Sequence, residues 1–499
     1  MRKAIFDRMS LIWVYYHGEV SIAYWEYALG FVYLVLMYVL FARQKKKLIK
    51  ESPEYRHFIW GLFAKLFGGV GFGLIYFYYY AGGDTIMYFY SAVSLSKMAA
   101  MDPGMYLDVV TGPNSWENLS KFNDAIGYPF AYVYFDHRSY FLIRLISPLV
   151  YLTFNSYLIT TLVLSSIAYI GVWRCYRTFV SYYPSLMNKF AIAFLYMPSV
   201  VFWGSGIMKD TMTFSAICWW IHSLDEVFFK RRRFVIGSLG LVVSAMIMVM
   251  MKPYIFMAVL PVSILWLLYA RVARIRSMII RFVLLPIVVV AMFGLSVYVL
   301  TKLGDNLDKF SLDTAIKTVQ TTQGDMIRVE QYGNNFFDIG TVDGTWTGLL
   351  SKFPIATNAA LFRPYLWEAR SVVVALSALE NFWLLGFTLL LLWRTRVRFF
   401  LRCFIGNPLV LVCFVFALLF GFTIGVSTPN FGALVRFKIP LIPFFVSGLY
   451  IIDLLHKERV ATILRGKRFD LSHFRAGEPG RALAPLRVGA RKGSRTARK

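Results

Sequence analysis

Long apolar runs recur along the chain and decide which solvent it occupies. Of its 499 residues, 58% are hydrophobic and only 16% are charged. Stretches of about twenty mostly apolar residues, the length that a helix needs to cross a bilayer, follow one another through most of the sequence. Strands of a membrane β-barrel would alternate apolar and polar residues, and these runs do not. The sequence therefore predicts an all-α, polytopic membrane helix bundle.

The apolar runs predict about eleven transmembrane helices, within a range of 10 to 13. A further stretch, 139–155, is interrupted by Arg144 and Pro148, so we expect an interfacial or re-entrant helix there. The membrane domain covers 1–455, and a basic tail, 456–499, has the composition of a disordered segment. The expected spans are 23–42, 58–80, 156–174, 188–206, 211–228, 234–251, 254–271, 278–301, 371–393, 407–425 and 437–454.

Lysine and arginine collect in alternate loops, which predicts the orientation of the bundle. Clusters such as "RQKKKLIK" (43–50), "KRRR" (230–233) and "RTRVRFFLR" (394–402) are expected in the cytoplasm, with the C-terminus. The acidic loops 81–138 and 302–370 then lie on the extracytoplasmic side. This distribution and attraction to anionic lipids explain the net charge of +26 without a nucleic-acid partner. We expect a multi-pass protein of a bacterial inner membrane.

Several charged residues lie at the predicted outer ends of spans, against the usual bias of membrane topology. In "GSGIMKDT" (204–211), the glycines predict an unwound turn before the next helix, with Asp210 or Thr211 as its cap and Asp210 holding Lys209. A cluster of such cations suits the phosphate of a lipid carrier at headgroup depth. Alternatively, each cation reaches the headgroups or pairs with a neighbouring acid. The candidate binding residues are Lys209, Asp210, Lys252, Arg363, Glu368, Arg370, Arg436 and Lys438.

Two carboxylates require separate interpretation. Asp84 follows a Gly-Gly turn in the first outer loop, where it fits either a helix cap, in common with Thr85, or a general base for a sugar hydroxyl. Glu380 lies in the middle of an apolar run, which indicates a functional group or an interhelical hydrogen bond, the commoner role. Aromatic faces suit sugar rings, and the first outer loop carries Tyr88, Phe89, Tyr90, Trp116 and Tyr128.

These features together resemble the glycosyltransferase-C superfamily and the related O-antigen-polymerase type of membrane protein. The likeness rests on the acid in the first outer loop, the following helix, the many spans and the late "NFGALVRFKIPLIPFF". It implies that Asp84 is the catalytic base and that Arg436, with Arg363 and Lys209, binds a polyprenyl phosphate or diphosphate. Lys252 and Arg370 are second choices. The chain lacks a paired acid in its first loop, and its first span precedes the usual starting helix.

Three classes of function follow. The first is a membrane glycosyltransferase or polysaccharide polymerase that moves sugar from a polyprenyl-linked donor to a saccharide or lipid-linked acceptor on the extracytoplasmic side. The second is a transporter or flippase of lipid-linked or anionic substrates, and the third is a non-enzymatic assembly partner in the cell envelope. No cofactor is expected, and neither the four cysteines nor the acidic loops have the spacing of a metal site.

Overall fold

A computed structural model describes residues 21–272, 312–326, 335–340 and 345–465, with a few single positions between 280 and 294. Helices account for the secondary structure of these residues, apart from one antiparallel bridge between Phe336 and Asn430. Almost all of the predicted span 278–301, half of the loop from 302 to 345 and the tail from 466 lie outside the described residues.

The helices of the described residues are numbered here in chain order. Short π-helical turns extend α2 (Ile75–Tyr79), precede α10 (Ile192–Tyr196) and extend α11 (Asp225–Phe229). The α-helices are α1 (Tyr24–Leu48), α2 (Phe58–Leu74), α3 (Asp84–Met101), α4 (Pro103–Thr111), α5 (Trp116–Leu119), α6 (Ala131–Phe135), α7 (His137–Leu152), α8 (Tyr157–Tyr182), α9 (Met187–Ala191), α10 (Pro198–Trp203), α11 (Lys209–Leu224), α12 (Phe234–Met251), α13 (Pro253–Val272), α14 (Leu312–Met326), α15 (Trp346–Ser351), α16 (Phe353–Phe362), α17 (Val372–Thr395), α18 (Val397–Gly406), α19 (Pro408–Ser427), α20 (Phe431–Phe437) and α21 (Leu441–Leu464).

Six helical segments among the described residues are long and apolar enough to cross a membrane, which makes the protein multi-pass. Helices α20 and α21 together would form a seventh, bent by 62°. The predicted number of about eleven is not confirmed. The structure divides the run 188–206 into short pieces, and the apolar part of α13 is shorter than a full span. The six segments are Tyr24–Leu48, Pro53–Tyr79, Tyr157–Tyr182, Phe234–Met251, Val372–Thr395 and Pro408–Ser427.

The predicted outer loop 81–138 is largely helical. Its first helix, α3, is mostly buried, and α7 packs along it through contacts such as Tyr88 Oη to Ser139 Oγ at 3.4 Å. The stretch expected to be a broken interfacial helix, 139–155, forms most of α7, which continues through Pro148. Helices α3 and α7 therefore add a buried pair to one end of the bundle.

The bundle has two polar ends, which we call the Asp84 end and the Asp453 end. At the Asp453 end, Lys189 Nζ lies 2.8 Å from Asp453 Oδ2, and Arg177 Nε donates to Glu54 Oε1 at 3.0 Å. Basic residues from the clusters at 230–233 and 394–402 also lie here, in contact with Asp225 and Asp453. The Asp84 end carries most of the candidate site residues.

Helix α2 passes α10 so closely that only glycine fits at the contact. A Cβ atom on Gly68 would lie 2.1 Å from the carbonyl oxygen of Val201, whereas a Cβ on Gly71, in the same helix, would meet nothing within 4 Å. Side chains of ordinary size are therefore excluded at one position of α2 and accepted three residues later.

We predict that Gly68→Ala lowers the free energy of unfolding by about 1–3 kcal/mol, because backbone atoms have to move apart. Gly71→Ala is the matched control and should leave stability unchanged or slightly raised, since alanine favours a helix over glycine. Thermal unfolding of the purified protein measures both variants. Equal stability of the two variants would contradict the close contact between α2 and α10.

Candidate functional site

Asp84 is the first residue of α3, and its carboxylate bonds a distant helix. The residue before it, Gly83, has a φ of 111° and caps the helix without a side-chain hydrogen bond. Asp84 Oδ2 instead accepts a hydrogen bond from Arg436 Nη1 at 3.0 Å. Thr85 does not cap the helix either, because its hydroxyl contacts that of Tyr157 at 2.9 Å. Of the two roles considered for Asp84, the helix cap is therefore excluded.

Arg436 extends this contact into a chain of alternating charges. Its Nε lies 3.6 Å from Asp210 Oδ2, and Asp210 Oδ1 lies 2.5 Å from Lys252 Nζ. We call Asp84, Arg436, Asp210 and Lys252 the ion chain. Its members come from α3, α20, α11 and the residue between α12 and α13, so it ties together elements from distant parts of the sequence.

The sequence suggested that Lys209 pairs with Asp210, but in the structure Lys209 pairs with Asp136. Its Nζ lies 3.3 Å from Asp136 Oδ2 and 2.9 Å from Ser139 Oγ. The predicted caps of α11 are also wrong, because Met208 precedes the helix and no side chain caps it. Thr211 instead donates its hydroxyl proton to the carbonyl of Gly206 at 2.7 Å.

Asp136 caps α7 and has a shifted pKa. Its carboxylate accepts hydrogen bonds from the backbone N–H groups of Arg138 at 3.3 Å and Ser139 at 3.2 Å. Burial alone would raise the pKa of Asp136, but the Lys209 ammonium and the Ser139 hydroxyl stabilise the charged form and lower it below the ordinary value. The group is therefore a carboxylate at neutral pH.

Accessibility separates the charged groups into two sets. We call the buried pair, Asp210 and Lys252, the floor, and the more accessible Asp84, Arg436 and Lys209 the rim. The side chains of Asp210 and Lys252 are only 4% and 7% exposed, whereas those of Asp84, Arg436 and Lys209 are 29%, 18% and 20% exposed. A ligand therefore reaches the residues of the rim before those of the floor. The Asp210–Lys252 pair lies beneath and holds one edge of the Arg436 guanidinium.

Four helices begin at or beside these charged groups. Helix α3 starts at Asp84 and α11 starts at Lys209. Helix α7 starts directly after Asp136, and α13 starts directly after Lys252. The N-terminus of a helix carries a partial positive charge and unbonded N–H groups, which favour anions. In this structure, three carboxylates occupy the resulting positive region. The same field would favour an anionic ligand.

A second cluster contains three other predicted binding residues, Arg363, Glu368 and Lys438. Lys438 directly follows α20. Arg363 Nε donates to Glu368 Oε1 at 3.0 Å, so this pair forms as expected for neighbouring opposite charges. Lys438 is 1% exposed and donates to Asn381 Oδ1 at 2.6 Å and to the Arg363 carbonyl at 3.0 Å. Arg370 is exposed and makes no hydrogen bond or ion pair with the rest of the described structure.

The predicted binding residues thus have different positions relative to the rim. Lys209 and Arg436 lie on it, Asp210 and Lys252 lie beneath it, and Arg363 with Glu368 forms a neighbouring pair. Buried Lys438 and isolated Arg370 do not join the ion chain in the part of the chain that the structure describes.

Sequence reasoning missed Asp136, Ser139 and Tyr132. Tyr132 is 70% exposed and lies close enough to Asp84, Lys209 and Asp136 for their charges to affect the pKa of its hydroxyl, so it offers an aromatic ring beside the rim. A capping signal was present, since Asp136 lies a few residues before the apolar run that begins at Tyr140. Of the five aromatics expected to suit a sugar, Tyr88, Phe89 and Tyr90 are instead 2%, 3% and 9% exposed and pack in the core. Trp116 and Tyr128 are partly buried against it.

The described residues contain no group of three or more His, Cys, Asp or Glu side chains that could hold a metal ion. Comparison of the chain with family models, curated proteins and solved structures finds no match.

We predict that Asp136→Asn destabilises the protein at neutral pH by no more than about 1 kcal/mol, because the pair is partly exposed and screened by solvent. A carboxylate with a lowered pKa stabilises the fold above its ordinary pKa of about 4, and this contribution is lost as the pH falls through the folded-state pKa. The stability difference between wild type and variant should therefore be constant above about pH 5 and shrink below about pH 4. Thermal unfolding against pH measures it.

Asp108→Asn is the matched control, because Asp108 forms a 3.4 Å pair with Lys121 but its side chain is 69% exposed. It should change the stability little, because an ion pair at an exposed position contributes little. A similar profile for both variants would contradict the special environment of Asp136.

Proposed function

We propose that the protein is a membrane glycosyltransferase or polysaccharide polymerase that uses a polyprenyl-phosphate-linked or polyprenyl-diphosphate-linked sugar as donor. The observation that supports this most is the contact between Asp84 and Arg436, which are 352 residues apart in sequence. It joins the expected catalytic base to the expected phosphate ligand. Both side chains lie on the accessible rim of a region rich in helix N-termini.

Arg436 suits a phosphate group by its shape and its charge. A guanidinium donates several hydrogen bonds in one plane and binds two oxygens of a phosphate at once. In the structure, Asp84 and Asp210 face two of its nitrogens. We infer that the carrier phosphate replaces Asp84 at Nη1, while buried Asp210 keeps the guanidinium in place.

Donor binding would then free the base beside the reacting sugar. An acceptor hydroxyl gives its proton to Asp84 as its oxygen forms a bond to the anomeric carbon of the donor sugar. The bond between that carbon and the carrier oxygen breaks, and the phosphate leaves with the bonding electron pair. Arg436 and Lys209 balance the charge that develops on the leaving phosphate. Tyr132 offers a ring face to a sugar.

The distribution of charge supports the orientation that this reaction needs. Basic residues of the clusters at 230–233 and 394–402 lie at the Asp453 end. The positive-inside rule then assigns that end and the C-terminus to the cytoplasm and the Asp84 end to the extracytoplasmic side. We propose the cytoplasmic membrane of a bacterium as the location, anionic lipids as surroundings, and a bundle of about eleven spans of the glycosyltransferase-C type.

One observation favours a transporter or flippase as the second candidate. Helix α10 is only six residues long, with a break before it at Met197 and an unwound segment, 204–208, after it, and transporters often use such broken helices. A transporter would bind the same lipid-linked anion but release it with the bond between sugar and phosphate intact.

The decisive test uses purified protein in nanodiscs with radiolabelled undecaprenyl-phosphate-linked and undecaprenyl-diphosphate-linked sugars. Asp84→Asn should retain donor binding and lose about 10²–10⁴-fold in turnover, the usual contribution of a general base. Arg436→Ala should weaken donor binding about tenfold or more, because charge-assisted hydrogen bonds are lost. Arg370→Ala removes an arginine that pairs with none of the described residues and should change neither.

Thermal unfolding of each variant separates lost function from lost folding. Donor that is bound without cleavage, and that the protein moves between the leaflets of sealed liposomes, would replace the transferase proposal with the transporter. Absence of both binding and turnover across the panel of lipids would refute the proposed function.

A further inference from the structure

The short helix α10 lies directly before the segment that brings Lys209 and Asp210 to the site. It begins after a break at Met197, and five residues without helical structure, 204–208, separate it from α11. Such a break leaves backbone groups without their helical partners, and a membrane bundle has to satisfy these groups with other side chains. The way in which they are satisfied shows what holds the segment in place.

The N-terminal end of α10 is held by Glu380 of α17. Its carboxylate accepts two hydrogen bonds from Ser199, one from the backbone N–H at 2.8 Å and one from the hydroxyl at 2.5 Å. Glu380 is 9% exposed. The interhelical hydrogen bond considered from sequence is therefore present, and it reaches a free N–H group of a broken helix.

The C-terminal end of α10 is held by Lys65 of α2. This lysine is 5% exposed, and its amino group donates to the carbonyl of Gly204. No carboxylate contacts Lys65 among the described residues; the face of the Phe214 ring lies 5.9 Å from its Nζ. A buried amino group without an acid is costly, so the Gly204 carbonyl is its main compensation.

The next carbonyls of the unwound segment also have donors. Ser165 of α8 donates to the carbonyl of Ser205, and Thr211 donates to that of Gly206. Three successive carbonyls are thus bonded by side chains from α2, α8 and α11. The unwound segment has a defined partner for each of them.

The two charged residues have the signs that suit the helix dipole. An acid lies at the N-terminal end of α10 and a base at its C-terminal end, where the partial charges of the helix are opposite to theirs. We propose that Glu380 and Lys65 are positioning residues that clamp α10 between α17 and α2. By fixing the segment 204–208, they set where Lys209 and Asp210 meet the ion chain.

The experiment measures hydrogen–deuterium exchange of the full-length protein in nanodiscs, over peptides covering 198–212. Lys65→Met and Glu380→Leu keep apolar volume but remove the hydrogen bonds, so exchange in these peptides should become about tenfold faster. Glu380→Gln still offers an acceptor to Ser199 and should stay close to wild type. If the two side chains only filled space, exchange would stay close to wild type in Lys65→Met and Glu380→Leu and would be faster in Glu380→Gln.

Two neighbouring serines supply a matched pair for the clamp. Ser165→Ala removes the donor to the Ser205 carbonyl and should accelerate exchange in the same peptides. Ser166→Ala changes the next residue of α8, whose hydroxyl bonds the Leu162 carbonyl of its own helix and the Tyr33 hydroxyl of α1 but not the unwound segment, and should not accelerate exchange there. Unchanged exchange in Lys65→Met and Glu380→Leu, or an equal increase over the whole protein, would overturn the clamp.

The positioning role is measured with undecaprenyl phosphate as the probe, and this part rests on the proposed function. Affinity for the probe should fall about tenfold in Lys65→Met and Glu380→Leu and be retained in Glu380→Gln and Ser166→Ala. Faster exchange with unchanged affinity would refute the positioning role. If wild type itself did not bind the probe, the proposed function would fail, while the exchange data would still decide whether the clamp exists.

Discussion

The ion chain of Asp84, Arg436, Asp210 and Lys252 is the constraint on which the Asp84 end depends. Two of its members, Asp210 and Lys252, are almost fully buried, and a charge left without its partner in such a place costs about 3–5 kcal/mol. The four side chains come from separate parts of the sequence, so α3, α11, α20 and the start of α13 have to arrive together. The chain contributes specificity more than net stability, since buried ion pairs rarely exceed the stability of apolar packing.

The same end shows why a membrane bundle accepts a broken helix. A continuous helix through 198–224 would have no free N-terminus near Arg436, whereas the unwound segment lets α11 begin at Lys209, beside the starts of α3, α7 and α13. The backbone groups that the break leaves without helical partners accept hydrogen bonds from Lys65 and Ser165 and donate one to Glu380. Polar residues buried between the helices therefore hold in place the region where four helix N-termini meet the charged groups.

Much of the fold could be predicted because the physics is local. Apolar length marks helices that the structure contains, such as α12 at the predicted 234–251, and the glycines of "GSG" correctly indicate a break. The partners of the charged side chains were harder to predict. Adjacent residues of a helix point in different directions, which is why Asp210 meets Lys252 instead of Lys209. The pairing of Asp84 with Arg436 depends on tertiary packing, as does the burial of Lys438 beside exposed Arg370.

The most direct test of a phosphate site on Arg436 is a solid-state NMR measurement of dipolar coupling between ³¹P of bound undecaprenyl phosphate and ¹⁵N of labelled arginine side chains. We predict a short-range coupling in wild type that disappears in Arg436→Lys and persists in Arg370→Lys. A coupling that survives Arg436→Lys, or no coupling in a wild-type sample that binds the lipid, would show that the phosphate lies elsewhere and would contradict the role given to Arg436.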